Sequence, residues 1–362
     1  MFTTEYTKIL EQVKNINPLE YGRTRNFIDG AVTHLSPYIS RGVISTRQVM
    51  EHALSQGYYP FQIEKFLQEL AWRDYWQQVW IEKGEGINND LRHEQPDVLN
   101  HEMPEAIVKA QTGISAIDTA ITDFYDTGYV HNHLRMYIAS LACNVGKSHW
   151  KVPAQWMYYY LLDGDWASNA LSWQWVAGSN SNKKYWANQE NINKYCHTNQ
   201  KGTFLDVSYE DLPNIQVPNN LQSTTMPELK TKLPATNFPD IDSSLPILIY
   251  NAYNLDPKWK QGIKANRILL LEPSHFSTYP MSAKTIEFIL RLAENINGIQ
   301  CYVGEFSEIV KAINPEAVFF KEHPFNSHYK GNEEPRDWMF EVKGYFPSFF
   351  AFWKLYRKEL AA

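Results

Sequence analysis

Prolines are concentrated in one stretch of the chain, and this stretch separates two regions of different sequence pattern. Proline fixes the backbone torsion φ and has no amide hydrogen, so a proline-rich stretch continues neither a helix nor a central strand. We therefore predict an extended connector over residues 201–245, with one domain before it and another after it. The prolines between Leu212 and the residue that follows the connector are Pro213, Pro218, Pro227, Pro234, Pro239 and Pro246.

The region before the connector, residues 1–200, has the pattern of helices. Phe61–Trp80 carries Leu and Trp side chains at helical spacings with few helix-breaking residues, and Ser115–Tyr125 and Tyr129–Val145 share that character. Pro153 is placed where it can open a further helix. Strand-like alternation is scarce here, so we predict an all-helical first domain.

The region after the connector, residues 246–362, alternates short apolar runs with a helical segment. The helix is predicted over Ser282–Asn295, with Ser282 as its N-cap. This alternation predicts a small α/β domain with a parallel sheet, so the fold class of the whole chain is mainly α followed by α/β. An aromatic-rich helix is predicted within Tyr345–Leu360. The predicted buried strands are Pro246–Tyr250, Arg267–Leu271, Gln300–Val303 and Ala317–Lys321.

Composition favours a globular cytoplasmic protein. A formal net charge of -6 argues against a chain that coats nucleic acid without specificity, although a local basic groove is compatible with it. No apolar run reaches the roughly 18 residues of a membrane span, so no membrane partner is expected. The cysteines Cys143, Cys196 and Cys301 have neither disulfide nor metal-ligand spacing, so we expect no metal site. Twelve Trp residues mostly suit a core, but also stacking on flat ligands or electron transfer.

One segment places a carboxylate, an amide and an indole on one helical face. Asp165, Asn169 and Trp173 follow one another at intervals of four residues, so a helix would align them. A flat ligand could hydrogen-bond to the carboxylate and the amide and take an electron from the indole. The alternative is an ordinary helix capped by Asp163 or Asp165 with core tryptophans, and spacing alone favours that alternative.

Three further segments combine side chains that could meet a common ligand. Hydroxyls and backbone amides ahead of a Pro-opened helix can contact phosphate, a carboxylate beside Trp can bind a base, and Arg suits a buried Asp. Each also has a plainer explanation, namely a helix N-cap, core tryptophans and a helix salt bridge. In chain order the residues are Thr33–Ser36 before Pro37, then Glu69, Trp72, Arg73 and Trp76, then Asn132, Arg135 and Met136.

Together and in this order, these segments resemble the photolyase/cryptochrome family. The resemblance covers Tyr21 to Tyr195 and is most specific in its last motif, where two acids, an amide and paired Trp residues all match. It is nearest to the photolyases that repair cyclobutane pyrimidine dimers. The motifs that carry it are Thr33–Tyr38, Glu69–Tyr75, Thr112–Asp118, His131–Met136 and Asp163–Ala177.

The resemblance implies a helical domain that holds FAD in a bent form. Arg135 would pair with Asp163 beside the flavin ring, and Asn169 would face the N5 atom of that ring. Trp173 would be the inner electron donor and Trp150 the next one outward. The residues implied around the cofactor are Tyr21, Thr33, His34, Leu35, Ser36, Arg73, Arg135, Asp163, Gly164, Asp165 and Asn169.

The same resemblance implies DNA containing a pyrimidine dimer as the partner. Reduced FAD would pass an electron to the dimer, which must be flipped out of the duplex because the flavin cannot reach it inside the stack. Asn132 and Met136, where (6-4) enzymes carry His, favour the cyclobutane class. A photosensor that acts on a protein partner and a scaffold without cofactor are the alternatives. The substrate-side residues implied are Arg25 for a phosphate, and Glu69, Trp72, Asn132, Met136 and Trp175 for the dimer.

Four features depart from the family pattern. An α/β antenna domain normally precedes the helical one, whereas here the α/β region follows it, so we do not expect an antenna chromophore. Asp97 stands where the outermost Trp of the electron-transfer chain is usual. His34 and His133 replace arginines, and Ser179–Tyr195 diverges from the usual continuation. We expect FAD binding to survive these changes more readily than DNA repair.

Overall fold

The computed structural model describes residues 2–312 and 317–360, which form two compact units. One, here called the sheet unit, contains Met1–Leu19, Thr33–Glu82 and Lys230–Ala362, and the other, the helical unit, contains Glu20–Val32 and Lys83–Leu229. The chain therefore divides differently from the predicted ranges 1–200, 201–245 and 246–362.

The first 200 residues form helices, as predicted, apart from the two-residue strand β1 (Met103–Pro104). The helix predicted over Phe61–Trp80 is α5, and those predicted around residues 115–160 are α7, α8 and α9. A buried π-helical turn, Leu141–Val145, continues α8. The helices up to residue 222 are α1 (Tyr6–Lys14), α2 (Pro18–Thr24), α3 (Ser36–Ser40), α4 (Thr46–Ser55), α5 (Glu64–Lys83), α6 (Glu105–Val108), α7 (Ser115–Thr127), α8 (Asn132–Ser140), α9 (Lys151–Tyr160), α10 (Trp166–Ala177), α11 (Gln189–Cys196) and α12 (Asn219–Gln222).

The predicted connector is only partly irregular. Residues 226–246 contain no helix or strand. Before them, α12 and the short strand β2 (Thr224–Thr225) belong to the helical unit, where β2 pairs antiparallel with β1 (Met103–Pro104). The backbone of Glu105 also donates to Ser223 O at 2.8 Å. These backbone hydrogen bonds explain why the chain up to Leu229 stays with the helical unit.

A parallel five-stranded sheet confirms the predicted α/β pattern. Its spatial order is β5-β4-β3-β6-β7, and every neighbouring pair is parallel. Ser282 caps α14 as predicted, since its hydroxyl accepts from Thr285 N at 3.2 Å. The strands and the accompanying helices are β3 (Ile247–Tyr250), β4 (Asn266–Leu271), α13 (Pro273–Thr278), α14 (Ala283–Ala293), β5 (Ile299–Val303), α15 (Phe306–Ala312), β6 (Val318–Lys321), β7 (Asn332–Glu334) and α16 (Phe349–Leu360).

Side chains from alternate positions of the strands form the core of the sheet unit. Ile247 and Ile249 from β3 and Ile268 and Leu270 from β4 pack with Phe306 from α15, and all are almost fully buried. Burial of each such side chain stabilises the fold by about 1.5–3 kcal/mol.

Helix α5 belongs to the sheet unit because it bonds to the C-terminal segment. The buried carboxylate of Asp74 accepts from Thr46 Oγ1 at 3.0 Å and from Met339 N at 2.8 Å. Tyr75 donates its hydroxyl to Phe346 O at 3.1 Å. A helix that must satisfy these distant partners cannot be assigned to its unit from local sequence pattern, which explains the difference from the predicted boundary.

Among the described residues, no helix is long and apolar enough to cross a membrane.

Candidate cofactor site

Helix α10 carries the predicted polar face. Asp165, Asn169 and Trp173 are 8%, 9% and 2% exposed, so all three are buried. Asp165 is also the N-cap of the helix, since its Oδ1 accepts from Ser168 N at 2.7 Å. The capping alternative weighed from the sequence is therefore present, and it fixes the carboxylate at the helix N-terminus.

Arg135 of α8 forms an ion pair with Asp163, which lies just before α10. Its Nη2 donates to both carboxylate oxygens, at 3.0 Å and 2.9 Å, and its Nε donates to Val130 O at 2.8 Å. The Asp163 side chain is 1% exposed and that of Arg135 is 20% exposed. A buried ion pair offsets the cost of desolvation only when further hydrogen bonds satisfy its charged groups. Here the three hydrogen bonds also hold the guanidinium in one orientation.

Gly164 allows the turn between these two acids. A Cβ atom at this position would lie 3.1 Å from both Leu161 O and Tyr158 O. Its own backbone N donates to Leu161 O at 3.1 Å, which closes the turn between α9 and α10. A larger residue would therefore require the backbone at Leu161 and Tyr158 to shift.

The amide of Asn169 is oriented by the neighbouring helix. Its Nδ2 donates to Ala154 O of α9 at 2.7 Å. An amide group has two N–H donors and one carbonyl acceptor, so this bond sets the plane of the group and uses one donor. Next to it in sequence, the Ser168 hydroxyl is buried and has no hydrogen-bond partner among the described atoms.

Trp150, at the start of α9, donates its indole N–H to a carboxylate that sequence pattern did not predict. Trp150 is fully buried, and its Nε1 donates to Asp90 Oδ1 at 2.7 Å. Its backbone N donates to Gln95 Oε1 at 2.8 Å, and Gln95 N donates to Asp90 Oδ2 at 2.8 Å. Asp90 and Trp150 are 60 residues apart, and no motif links them.

The substrate-side residues of the helical unit are more accessible than the cofactor-side ones. Asn132 is exposed, Met136 is half-buried, and Trp175 is 39% exposed with its ring 5.8 Å from that of Tyr185. Arg25, also half-buried, donates its Nη1 to Asn26 Oδ1 at 3.4 Å. Tyr21, in α2, is half-buried.

His133 replaces an arginine of the family motif. Its ring lies edge-on to that of Tyr137 at 4.8 Å and is tilted against that of Tyr195 at 4.8 Å. Burial, together with the positive charge of Arg25, lowers the pKa of His133 to about 4. This position is therefore neutral at pH 7, where the family pattern has a permanent cation.

The remaining predicted residues lie in the sheet unit. Ser36 begins α3, Leu35 N donates to Thr33 Oγ1 at 3.3 Å, and His34 adopts a φ of 53°. Burial lowers the pKa of His34 below its usual value. Arg73 donates its Nη1 to Ser40 Oγ at 2.9 Å.

Of the two predicted base-binding residues on α5, Glu69 is half-buried and Trp72 already contacts another ring. The Phe349 ring, from α16, lies parallel to the indole of Trp72 with ring centroids 3.8 Å apart. No sequence pattern indicates this contact or the covering of one indole face. The role predicted for Trp72 would require its other face or a displaced Phe349.

Comparison with known proteins identifies the central region. Residues 66–230 match the family model described as the FAD binding domain of DNA photolyase. A deoxyribodipyrimidine photo-lyase of Streptomyces griseus is 31% identical over 156 residues, which are 42% of this chain and 34% of that protein. Cryptochrome-1 of Arabidopsis thaliana is 26% identical over 181 residues, 44% of this chain and 26% of that protein. Among solved structures, a cryptochrome of Synechocystis sp. PCC6803 aligns with a TM-score of 0.47 at 22% identity, covering 54% of this chain and 44% of that one.

The matched region is thus similar to an FAD-binding domain of the photolyase type. Residues 66–230 match the FAD-binding domain of DNA photolyases, and the relatives named above are a photolyase and a cryptochrome, so the resemblance predicted from the motifs is confirmed over this region. The chain covers only 34% and 26% of the two relatives named above.

Proposed function

We propose that the chain binds FAD and transfers electrons to and from it in light through Trp173 and Trp150. The observation that carries the proposal is the ion pair of Arg135 with the buried Asp163, followed directly by the buried face of Asp165, Asn169 and Trp173. Buried charged and polar groups in one place, in a domain of this family, favour a polar ligand over a purely structural role.

The chemistry of these side chains fits a flavin. The ring edge of a flavin presents both N–H donors and carbonyl acceptors, which carboxylate, amide and guanidinium groups can satisfy. Asp165 supplies an acceptor, Asn169 a neutral donor, and Arg135 a cation whose charge Asp163 balances. The buried Ser168 hydroxyl offers a further donor. When bound, FAD supplies a light-absorbing group that accepts and gives single electrons.

Each side chain then has a defined task. The Arg135–Asp163 pair holds a positive group beside the ring without adding net charge, and the neutral amide of Asn169 donates to a ring nitrogen. Trp173 and Trp150 are 2% and 0% exposed, so water is kept from the indoles that give electrons.

For the substrate, we propose a flipped cyclobutane pyrimidine dimer in DNA. Asn132, Met136 and Trp175 are accessible enough to contact it, and stacking on an indole contributes about 1–3 kcal/mol per base. A photosensor without repair activity is the second candidate, and a specific contact favours it. Because Phe349 covers one face of Trp72, the chain itself already occupies part of a predicted base-binding surface.

The experiment begins with flavin uptake. Purified chain is expected to bind FAD, and Asp163→Asn, which removes the charge opposite Arg135, is expected to bind it at least about tenfold more weakly. Breaking a buried pair costs about 3–5 kcal/mol, and the 20% exposure of Arg135 reduces that figure. Asp97→Asn, which removes the charge of a 63% exposed carboxylate paired with Lys184 instead, serves as the matched control and is expected to leave uptake unchanged.

Blue-light repair of thymine dimers in an oligonucleotide then separates the two candidates. Recovery of intact thymine supports the lyase. Flavin uptake with no repair supports the photosensor. A chain that takes up no flavin contradicts both.

A further inference from the structure

The surroundings of Trp150 determine whether the radical formed by loss of an electron stays on this residue. The position of the outermost Trp in the family pattern is held by Asp97, whose side chain is 63% exposed and paired with Lys184. The rings that lead outward from Trp150 are instead His149, at 5.6 Å, and then His101, 4.9 Å from His149. Imidazole is much harder to oxidise than indole. Once Trp150 has lost an electron, neither histidine ring can readily replace it.

Loss of an electron from an indole makes its N–H strongly acidic. The Trp150 indole is fully buried. Its proton therefore cannot pass directly to water. The hydrogen bond to Asp90 is 2.7 Å long, within the range of charge-assisted bonds and within reach for a general base. The Asp90 side chain is 17% exposed, so it connects the buried indole with solvent.

The neighbours of the Asp90 carboxyl oxygens are all N–H groups that can donate to them. Its two oxygens accept from Trp150 Nε1 and Gln95 N, and His149 Nε2 lies 3.3 Å from Oδ1. His149 Nδ1 accepts from Lys151 N at 3.3 Å, which assigns the ring proton to Nε2 and makes all three neighbours of Asp90 donors. Burial lowers the pKa of His149 more than the nearby Asp90 raises it, so the imidazole is neutral at pH 7 and places no positive charge beside Asp90.

We infer that Asp90 is the proton acceptor for Trp150 when Trp150 is oxidised during the flavin photoreduction proposed above. Light-excited oxidised flavin is the oxidant, and the electron leaves Trp150 towards it by way of Trp173. The Nε1–H bond breaks, the proton moves to Asp90 Oδ1, and the products are a neutral tryptophanyl radical and a neutral Asp90 carboxylic acid. Loss of the proton stabilises the radical on Trp150 and slows the return of the electron.

Asp90→Asn tests the inference because an amide oxygen can still accept the indole hydrogen bond but is not basic. In the flavin-loaded chain, a laser flash is expected to give the spectrum of a neutral tryptophanyl radical, with slower formation in D₂O. Asp90→Asn is expected to give the radical cation, no such isotope effect, and return of the electron at least tenfold faster. Asp97→Asn, the neighbouring exposed carboxylate, is expected to behave as the unmodified chain.

A neutral radical with an unchanged isotope effect in Asp90→Asn would overturn the inference. Failure of the proposed function is recognised separately, by absence of flavin uptake. Asp90 is still tested in that case, since an ultraviolet pulse oxidises indoles directly. The neutral-radical signal lost in Trp150→Phe is then expected to be lost in Asp90→Asn as well, and its persistence in Asp90→Asn overturns the inference.

Discussion

The indole of Trp72 and the ring of Phe349 lie face to face, 3.8 Å apart between centroids and within 9° of parallel. Phe349 is 3% exposed, whereas the adjacent Phe350 is 67% exposed. Helix α16 is held to α5 by a second contact, a hydrogen bond from Trp353 Nε1 to Glu64 Oε1 at 3.0 Å. The C-terminal helix therefore covers an aromatic surface that the family resemblance assigns to substrate.

Phe349→Ala tests what this stack contributes. Removal of a buried phenylalanine ring costs about 3–5 kcal/mol, so the free energy of unfolding is expected to fall by about 3 kcal/mol. Acrylamide quenching of tryptophan fluorescence is expected to increase, because one face of Trp72 is uncovered. Phe350→Ala is the matched control, with an expected change of about 0.5 kcal/mol or less. Equal urea-denaturation midpoints for the two variants would contradict the role given to the stack.

Asp74 is expected to make stability depend on pH. Burial raises its pKa to about 6, against the hydrogen bonds from Met339 N and Thr46 Oγ1. Since the folded-state pKa lies above the unfolded value, the protonated form favours folding, and this contribution is present below about pH 4 and lost as pH rises through 6. A shift of about two units corresponds to about 3 kcal/mol.

The measurement is the unfolding free energy of Asp74→Asn relative to the unmodified chain between pH 4 and pH 8. Asn retains an acceptor but carries no charge, so the difference is expected to move by about 2–3 kcal/mol in favour of Asp74→Asn as pH rises. A difference that does not vary with pH would show that Asp74 titrates normally.

Local sequence pattern was sufficient for the helices, the parallel strands and the Ser282 cap, because each depends on residues within a few positions of one another. The family motifs also brought Arg135 and Asp163 together, 28 residues apart. Sequence pattern did not predict hydrogen bonds between residues that are far apart in the chain and share no motif. Asp74 bonds to Met339 across 265 residues, and Asp90 bonds to Trp150 across 60. Neither Asp74, a single buried carboxylate in α5, nor Asp90, a single carboxylate in a loop, carries a sequence signal for its distant partner, so such pairs become visible only in the folded chain.

Asn169→Asp is expected to change how bound flavin is reduced. In the unmodified chain, Asn169 Nδ2 donates to Ala154 O at 2.7 Å. The substitution replaces this donor by a carboxylate oxygen and adds a negative charge where the flavin ring is proposed to lie. Absorbance spectra during stepwise photoreduction are expected to differ from those of the unmodified chain.

Asn188→Asp controls for the lost donor alone. Its Nδ2 donates to Val207 O at 3.2 Å, so the same kind of bond is lost outside α10. Both variants are expected to lose about 1–2 kcal/mol of stability, whereas only Asn169→Asp is expected to alter the flavin spectra. Identical spectra in all three proteins would place the amide away from the flavin.

Trp173→Phe is expected to stop photoreduction while flavin stays bound. Phenylalanine fills most of the volume of this 2% exposed side chain, so the fold and the proposed contacts of Asp165 and Asn169 with flavin are expected to be retained. Its ring is far harder to oxidise than an indole, so the first electron-transfer step is blocked.

Trp166→Phe is the matched control, because Trp166 is equally buried in α10 and donates its Nε1 to Asn88 Oδ1 at 2.7 Å. Under blue light with an external reductant, the rate of flavin bleaching is expected to fall at least tenfold in Trp173→Phe and to change less than twofold in Trp166→Phe. Undiminished bleaching in Trp173→Phe would mean that electrons do not reach the flavin by the proposed route from Trp150 through Trp173.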